Sequence, residues 1–362
     1  MRKVFKYTLL ALNLTLILCL ALGVLCTKIS PERNALLPYF GLLYPFFLIL
    51  NVVFCLFWIC ARKCFFIISL SALLLCTVYT RNVFPLSLKP TPTVSDGERQ
   101  LSILSYNVAI FRGGKQFDSI FSFIERKNPD IVCLQEFGFY KNSNLDRERD
   151  KVFRQFKKYY PYQHVWYKNQ FKSKDYGVVT FSKYPIIKKQ KIFYDSKYNI
   201  SIFSDIVVGK DTIRVFNNHL ESVKISSKEK KEVNDLHSEE ILTQETLMLT
   251  ESLLRKLGSA FKVRAKQADE VAYAVRQSPY KTIVCGDFND MPISYTYQKI
   301  KGNLQDLYVS TACGFNYTYH DMAIFLRIDY IFASAEFLPV DCEIFHINLS
   351  DHDPVLGRVI LK

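Results

Sequence analysis

Acidic side chains are nearly missing from the first quarter of this 362-residue chain: residues 1–90 hold Glu32 alone, against nine lysines and arginines. Most of the net charge of +13 therefore sits there, and residues 91–362 carry a nearly balanced 38 bases and 33 acids. So small a surplus over so long a stretch is an ordinary solvated surface, and bulk charge does not argue for nucleic-acid binding. The ten cysteines include no CxxC pair, and six of them fall in apolar runs, so neither a zinc site nor a disulfide framework is indicated. An HExxH helix, a GxSxG elbow and a GxxxxGK[ST] loop are absent as well. Zincin, serine-hydrolase and P-loop chemistry are thereby set aside.

What the first ninety residues do contain is apolar. Tyr7 to Cys26, Leu36 to Cys60 and Cys64 to Thr80 are free of charge, and each approaches the ~20 residues a helix needs to cross ~30 Å of hydrocarbon. Three transmembrane helices, at about 7–26, 36–60 and 64–80, are expected within a membrane domain of residues 1–80. A cleaved signal peptide competes for the first run, but that run is too long and two more follow it. Arg2, Lys3 and Lys6, joined by Arg62 and Lys63, favour a cytoplasmic N-terminus. Lys28, Arg33 and Arg81 on the other side narrow the margin. The rest of the chain would then lie outside the cytoplasm. Residues 81–97, with three prolines and a Ser-Asp-Gly turn, read as an extended linker.

From residue 98 to 362 the pattern is that of one globular α/β (α+β) domain. Apolar, β-branched runs such as "LSILSYNVAI", "PDIVCLQE", "TIRVFNNHL" and "TIVCGDF" read as strands. Phe117, Ile120, Phe121 and Ile124 recur at helical spacing, and Ser226 with Glu229 forms a capping box ahead of a helix-rich stretch. Several strands stay apolar until they deliver a polar group. Asn107 closes the first, Glu136 the second, His219 another, and "GDFND" ends on Asp287 and Asn289; Asp329 opens "DYIF", while Asp351 and His352 precede the last strand. Such termini suggest a single rim. Glu136, Asp351 and the amide oxygen of Asn107 are hard oxygen donors of the kind Mg²⁺ or Mn²⁺ takes. A histidine with a carboxylate partner moves protons near neutral pH, and Asp287 can orient a water. Together these serve attack on a phosphate ester.

The ordered motifs "LSYNV", "CLQE", "GVVTFSKYPI", "NNHLES", "VCGDFND", "RIDYIF" and "SDHDPV", spread over residues 101–356, resemble the endonuclease/exonuclease/phosphatase superfamily with its DNase I-like fold. With the three expected spans, the chain is similar to the membrane-anchored bacterial members. The resemblance implies a four-layer sandwich of two packed β-sheets flanked by helices, a Mg²⁺-dependent phosphoesterase with Mn²⁺ as substitute, and a multi-pass protein of the cell (inner) membrane. By resemblance Asn107, Glu136 and Asp351 are metal-site residues, with Glu136 the principal ligand. Asp287 resembles the carboxylate that aligns or deprotonates the attacking water, Asn289 a phosphate contact, and His352 a catalytic histidine oriented by Asp329. His219 is similar to the second histidine of DNase-like and sphingomyelinase-like members, although the motifs supply no carboxylate partner for it. Ala109 stands where abasic-site nucleases carry a carboxylate, which points away from that branch. Tyr176 is a further candidate phosphate contact.

The substrate stays open between nucleic acid, for which Arg112, Lys115, Lys172 and Lys174 would be phosphate contacts, and a phospholipid or sphingolipid headgroup held near the site by the anchor. Phosphomonoester or inositol-phosphate hydrolysis and a catalytically silent membrane scaffold are the alternatives. His164, His237, His320 and His346 read as ordinary residues, and Asp290 as a turn residue. No protein partner is identifiable.

Overall fold

The computed structural model describes residues 2–87, 92, 98–141, 145–168, 173–196, 198–235, 244–321 and 325–361. Most of the expected linker, Lys172 and His237 lie outside the described residues.

Five helices come first: α1 (Arg2–Leu25), α2 (Leu37–Leu42), α3 (Tyr44–Cys60), α4 (Phe66–Leu75) and α5 (Thr77–Val83). Among the described residues α1 alone is long and apolar enough to cross a membrane by itself. α4 and α5 meet that test only as a pair bent by 67°, and α3 is a shorter apolar helix. The second and third apolar runs are thus each interrupted. Pro45, in the first turn of α3, has no N–H to continue α2, so a new helix starts there. At the second break the Tyr44 hydroxyl donates to the Cys76 carbonyl at 3.4 Å.

α1, α3 and α4 close on a polar knot. Asn13 Oδ1 accepts from Trp58 Nε1 at 3.1 Å and from Ser69 Oγ at 3.0 Å, and all three residues are buried. Leu14, Leu18, Ile49, Val53, Leu56 and Leu74 point outward and exposed. Leu20, Phe47 and Leu48 make the interior largely apolar as well, so the bundle lacks the polar outer face of a helix bundle in water.

The remaining elements run β1 (Arg99–Asn107), α6 (Ala109–Gly113), α7 (Phe117–Lys127), β2 (Ile131–Tyr140), α8 (Leu145–Tyr159), β3 (Tyr162–Tyr167), β4 (Lys174–Ser182), β5 (Ile186–Ile192), β6 (Ile200–Val208), β7 (Asp211–His219), α9 (Ser227–Asp235), α10 (Gln244–Arg276), β8 (Lys281–Asp287), α11 (Tyr295–Lys301), β9 (Gln305–Asp306), α12 (Leu307–Thr311), β10 (Asp329–Ala333), β11 (Phe337–Ile344) and β12 (Val355–Leu361). They form two six-stranded mixed sheets, β11-β12-β1-β2-β4-β3 and β5-β6-β7-β8-β10-β9. Each has one parallel pair, β1 with β2 and β7 with β8. Between the sheets pack Leu101, Ile103, Cys133, Val215, Ile283 and Cys285. The outer faces are covered by α7 and α8 on one side and α10 and α11 on the other, giving four layers. Strands covered on both faces read as unbroken apolar runs, which is why β2 and β8 lack alternation. α7 buries Phe117, Ile120, Phe121 and Ile124 as its spacing predicts and stops at Asn128 in the left-handed region. The capping box forms too: Ser226 N donates to Glu229 Oε2 at 2.8 Å, and Glu229 N to Ser226 Oγ at 3.3 Å.

His164 on β3 is buried between the sheets, with Nδ1 2.9 Å from Ser204 Oγ on β6. Burial, aided by Lys189, pushes its imidazole down to about 4. The unfolded chain therefore takes up this proton near pH 6.5, before the folded chain does. The stability it lends is full above that pH and is lost as pH falls through the window to about 4. The expected loss is ~3 kcal/mol. Unfolding midpoints of the full chain in detergent, wild type beside His164→Gln, check this; equal pH slopes in the two would refute it.

The helices of residues 2–83 sit directly on the sandwich. Cys26 Sγ lies 3.4 Å from the Ile293 carbonyl, and a Cβ at Gly41 would stand 2.4 Å from the same oxygen, so only glycine fits there. Tyr39 Oη donates to Leu254 O at 2.7 Å, and Arg327 Nη2 to Asn82 O at 2.7 Å.

Candidate active site at the sheet ends

The two parallel pairs bring four strand ends to one edge of the sandwich. Asn107 pairs with Gln135 across β1 and β2, and His219 with Asp287 across β7 and β8. β10 runs antiparallel to β8 and so begins at that edge, Asp329 opposite Asp287. β12 is antiparallel to β1, which brings the segment entering it alongside: Ser350 Oγ donates to the Asn107 carbonyl at 2.8 Å.

Local backbone then aims the side chains. The β2–β4 register slips between Leu134 and Phe137, and Glu136 takes φ +50°, a bulge that turns its carboxylate to the rim. Gly286 has φ +132°, and a Cβ there would fall 2.0 Å from Asn218 O, so the glycine before Asp287 is required by close approach. Beneath the rim Asn217 ties the two sheets, accepting from Gln135 Nε2 at 2.8 Å and donating to Val179 O at 2.9 Å.

Asp287 is the centre of the cluster. Its Oδ2 accepts from Asn107 Nδ2 at 2.9 Å and its Oδ1 from Asn289 N at 2.8 Å. His352 Nε2 stands 3.7 Å and His219 Nε2 3.8 Å from the same carboxylate. On its other side His352 Nδ1 is 2.9 Å from Asp329 Oδ2, and Thr318 Oγ1 accepts from the N–H of Ile328 and Asp329, both at 3.0 Å, to set that strand start. Burial pushes the Asp287 carboxyl up to about 6, against the pull of His352. Burial also pushes the His352 imidazole down, but Asp329 and Asp287 outweigh it and hold the ring well above its ordinary value. For His219 burial wins over Asp287, and the ring is lowered. Its nearest carboxylates, Glu136 at 3.7 Å and Asp287, lie beyond hydrogen-bond reach, and Nδ1 faces the Tyr176 hydroxyl at 3.5 Å instead.

The donor set fits a hard divalent cation. Glu136 is raised by burial and next by the negative charge of Asp351, a repulsion that a cation between them relieves. The buried atoms His219 Nε2 and Asp329 Oδ1 have no hydrogen-bond partner. Asp287, Asp329 and His352 are also close enough to hold an ion. Both nitrogens of His352 already face carboxylates, however, which suits a proton chain better than ligation.

The structure therefore brings Asn107, Glu136, His219, Asp287, Asp329, Asp351 and His352 together. Asn289 lies beside them, but its side-chain amide donates to Leu220 O at 3.0 Å. Three positions make contacts beyond their sequence readings. Asp290 lies in the bend after β8, as a turn residue should, but it is also buried and pairs with Arg264 Nε at 3.2 Å. Arg112 stays exposed near the rim, and its Nη2 donates to the Ser350 carbonyl at 2.8 Å, holding the loop that carries Asp351 and His352. His346 Nδ1 and His320 Nδ1 lie 2.6 and 3.4 Å from Asp353 Oδ2, a second imidazole–carboxylate group next to the rim. Sequence reasoning passed over Thr318 and Tyr319, whose ring centroid is 5.0 Å from that of His352. They sit in a segment without periodicity, and no spacing marks them.

The Endonuclease/Exonuclease/phosphatase family model matches residues 104–352, and a model described as "Domain of unknown function (DUF8431)" matches residues 3–83. No curated protein matches. Among solved structures, an endonuclease/exonuclease/phosphatase from Beutenbergia cavernae is similar at 15% identity, over 73% of this chain and 72% of that one, with TM-score 0.48. A family protein from Leptotrichia buccalis is similar at 18% identity, over 72% and 99%, with TM-score 0.49. Truncated Caenorhabditis elegans TDP2 is similar at 15%, over 72% and 97%, with TM-score 0.47. The family match spans well over half of the sequence and holds every rim residue from Asn107 to His352, and on that ground the chain belongs to the endonuclease/exonuclease/phosphatase family.

Proposed function

We propose that this chain is a membrane-anchored, divalent-metal-dependent phosphodiesterase. The observation that carries the reading is the His352 imidazole set between Asp329 and Asp287, with Asn107 and Asn289 fixing the same Asp287 carboxylate. Glu136, Asp351 and the Asn107 amide oxygen would hold Mg²⁺, or Mn²⁺ in its place. Bound there, the ion supplies charge neutralisation at the phosphate oxygens and a more acidic water.

The side chains account for the proton movements. Asp287 accepts a proton from the attacking water as the water oxygen bonds to phosphorus and the phosphorus–oxygen bond to the leaving group breaks. His352, kept cationic by two carboxylates, faces the charge that develops on the phosphate. His219 Nε2 is free to meet a substrate oxygen.

In this reading residues 1–80 are a membrane domain and residues 98–362 a catalytic domain. Three passes are consistent with the antiparallel run of α1 and α3: Asn13 meets Asn51 midway at 3.5 Å, and Lys6 lies over the Phe65 ring at 5.0 Å. That contact puts Arg62 and Lys63 at the same end as the N-terminus, away from the sandwich, as an extracytoplasmic catalytic domain on the inner membrane requires. The fold's remaining alternative, a silent scaffold, would keep these contacts without turnover.

Full-length protein in detergent or vesicles is expected to hydrolyse a phosphodiester chromogen with Mg²⁺ or Mn²⁺ and to stop with chelator. Single- and double-stranded DNA, a phosphomonoester and sphingomyelin vesicles complete the panel. Turnover on DNA that collapses as salt rises would assign a nuclease, and turnover on vesicles a lipid phosphodiesterase. No turnover on any of them, from folded protein that binds no metal, would leave the scaffold.

A further inference from the structure

α10 is longer than the sandwich it covers. Its 33 residues extend about 50 Å at 1.5 Å per residue, whereas β8 beside it has seven. Arg264 Nη1 donates to Glu221 O at 2.8 Å, and Gln267 Oε1 accepts from Glu221 N at 2.8 Å, so the loop after His219 meets the helix at residues 264–267. The helix before that level has left the sheet. From Leu247 to Ser259 no residue is buried, although the stretch holds Leu247, Met248, Leu249, Leu253, Leu254 and Leu257. Leu249, Leu253 and Leu257 are half-buried, and Lys256 Nζ reaches Glu229 of α9 at 2.6 Å, but Leu247, Met248 and Leu254 stay exposed, an apolar surface that needs a cover.

Its direction identifies one. Leu247, Leu254, Gly258 and Phe261 are spaced to share one helix face. The last two of these meet α2: the Phe261 ring is edge-on to Tyr39 at 5.5 Å, and a Cβ at Gly258 would stand 2.8 Å from the Tyr39 hydroxyl. Leu247 at 59% exposure and Leu254 at 46% prolong that face beyond Tyr39. At the two ends of α2, Leu36 and Leu43, three residues before and four after Tyr39, are exposed as well and are spaced to share its helix face. Arg255 and Lys262, with one acid, Glu251, are exposed along one flank of the stripe, a net positive edge of the kind that lies on anionic headgroups.

We infer that the N-terminal half of α10 is a second membrane contact, lying in the surface of the same leaflet that surrounds α2 and supplied by the catalytic part of the chain rather than by its anchor. The inference rests on the membrane reading of residues 1–80. It makes the seat of the catalytic edge rigid, because the helix that touches lipid also holds the loop after His219 and, through Arg264, the loop after Asp287.

Depth-sensitive quenching tests it without any hydrolysis assay. The full chain is reconstituted in vesicles of phosphatidylcholine and phosphatidylglycerol with brominated acyl chains, as wild type, Leu247→Trp, Leu254→Trp and Ser259→Trp. Emission added at 247 and 254 is expected to be quenched by the brominated lipid several-fold more than at 259, and to be shielded from aqueous acrylamide. Acrylamide quenching at all three positions overturns the inference, as does shielding from both quenchers that varies with the chain-to-lipid ratio, which would assign the face to a second copy of this chain. Protein that alkaline carbonate strips from the vesicles would instead refute the membrane reading and the inference with it.

Discussion

Replacing Asp287 by asparagine is expected to lower metal-dependent turnover by ~10²–10⁴-fold, the range typical of a lost general base, in a protein that still folds. The carboxylate accepts two hydrogen bonds at once, from Asn107 Nδ2 and from the Asn289 N–H. An asparagine keeps one acceptor oxygen for these two donors and puts an N–H₂ against the other. It also removes one of the two negative charges that hold His352 protonated. The substituted side chain has the same volume, so the buried strand end keeps its packing. The loss should therefore appear in kcat, with KM little changed. Retention of most of the wild-type kcat would remove Asp287 from the reaction and with it the reading of the His352 pair.

How much of this the sequence reveals depends on the range of the interaction. The rim residues are readable because each lies where an apolar strand ends, and a strand end is a local event. Their convergence depends on pairings such as β1 with β12, more than two hundred residues apart; the order of the motifs implies these pairings only through resemblance to a family. What depends on a single distant partner stays hidden. Nothing around Asp290 announces Arg264, and nothing around Arg112 announces the Ser350 carbonyl. The left-handed turn α6, with Ile110, Phe111 and Arg112 at φ 52°, 52° and 46°, is invisible for a different reason, since its residues have no preference for that region. The apolar runs of the first eighty residues show composition clearly and geometry poorly. Hydropathy carries no trace of the Tyr44 hydroxyl that meets the bend at Cys76.

The largest stability effect is expected at Arg327, which joins the helical region to the rim. Its Nη1 lies 2.9 Å from Asp306 Oδ2, its Nη2 donates to the Asn82 carbonyl just before the end of α5, and its guanidinium stands 4.8 Å from the Tyr330 ring centroid. Both charged groups are almost wholly buried. Asp306 is otherwise committed to neutral donors, the Tyr297 hydroxyl at 2.8 Å and Val309 N at 3.2 Å, the latter capping α12. Arg327→Met leaves that carboxylate desolvated and unpaired, at a cost of about 3–5 kcal/mol. Adding Asp306→Asn removes the stranded charge, keeps one oxygen to accept from Val309 N at the cap, and turns an N–H₂ to the Tyr297 hydroxyl, which can accept it, so the double variant should recover most of the loss even though it lacks the ion pair altogether. Thermal unfolding of the two proteins in detergent decides the point, and a double variant no more stable than the single one would show that the Asn82 contact, not the ion pair, is what matters. Activity is expected to follow the same order, because Asp329, which faces His352, lies two residues beyond Arg327, and the Tyr330 hydroxyl that follows it donates to the Arg327 carbonyl at 2.6 Å.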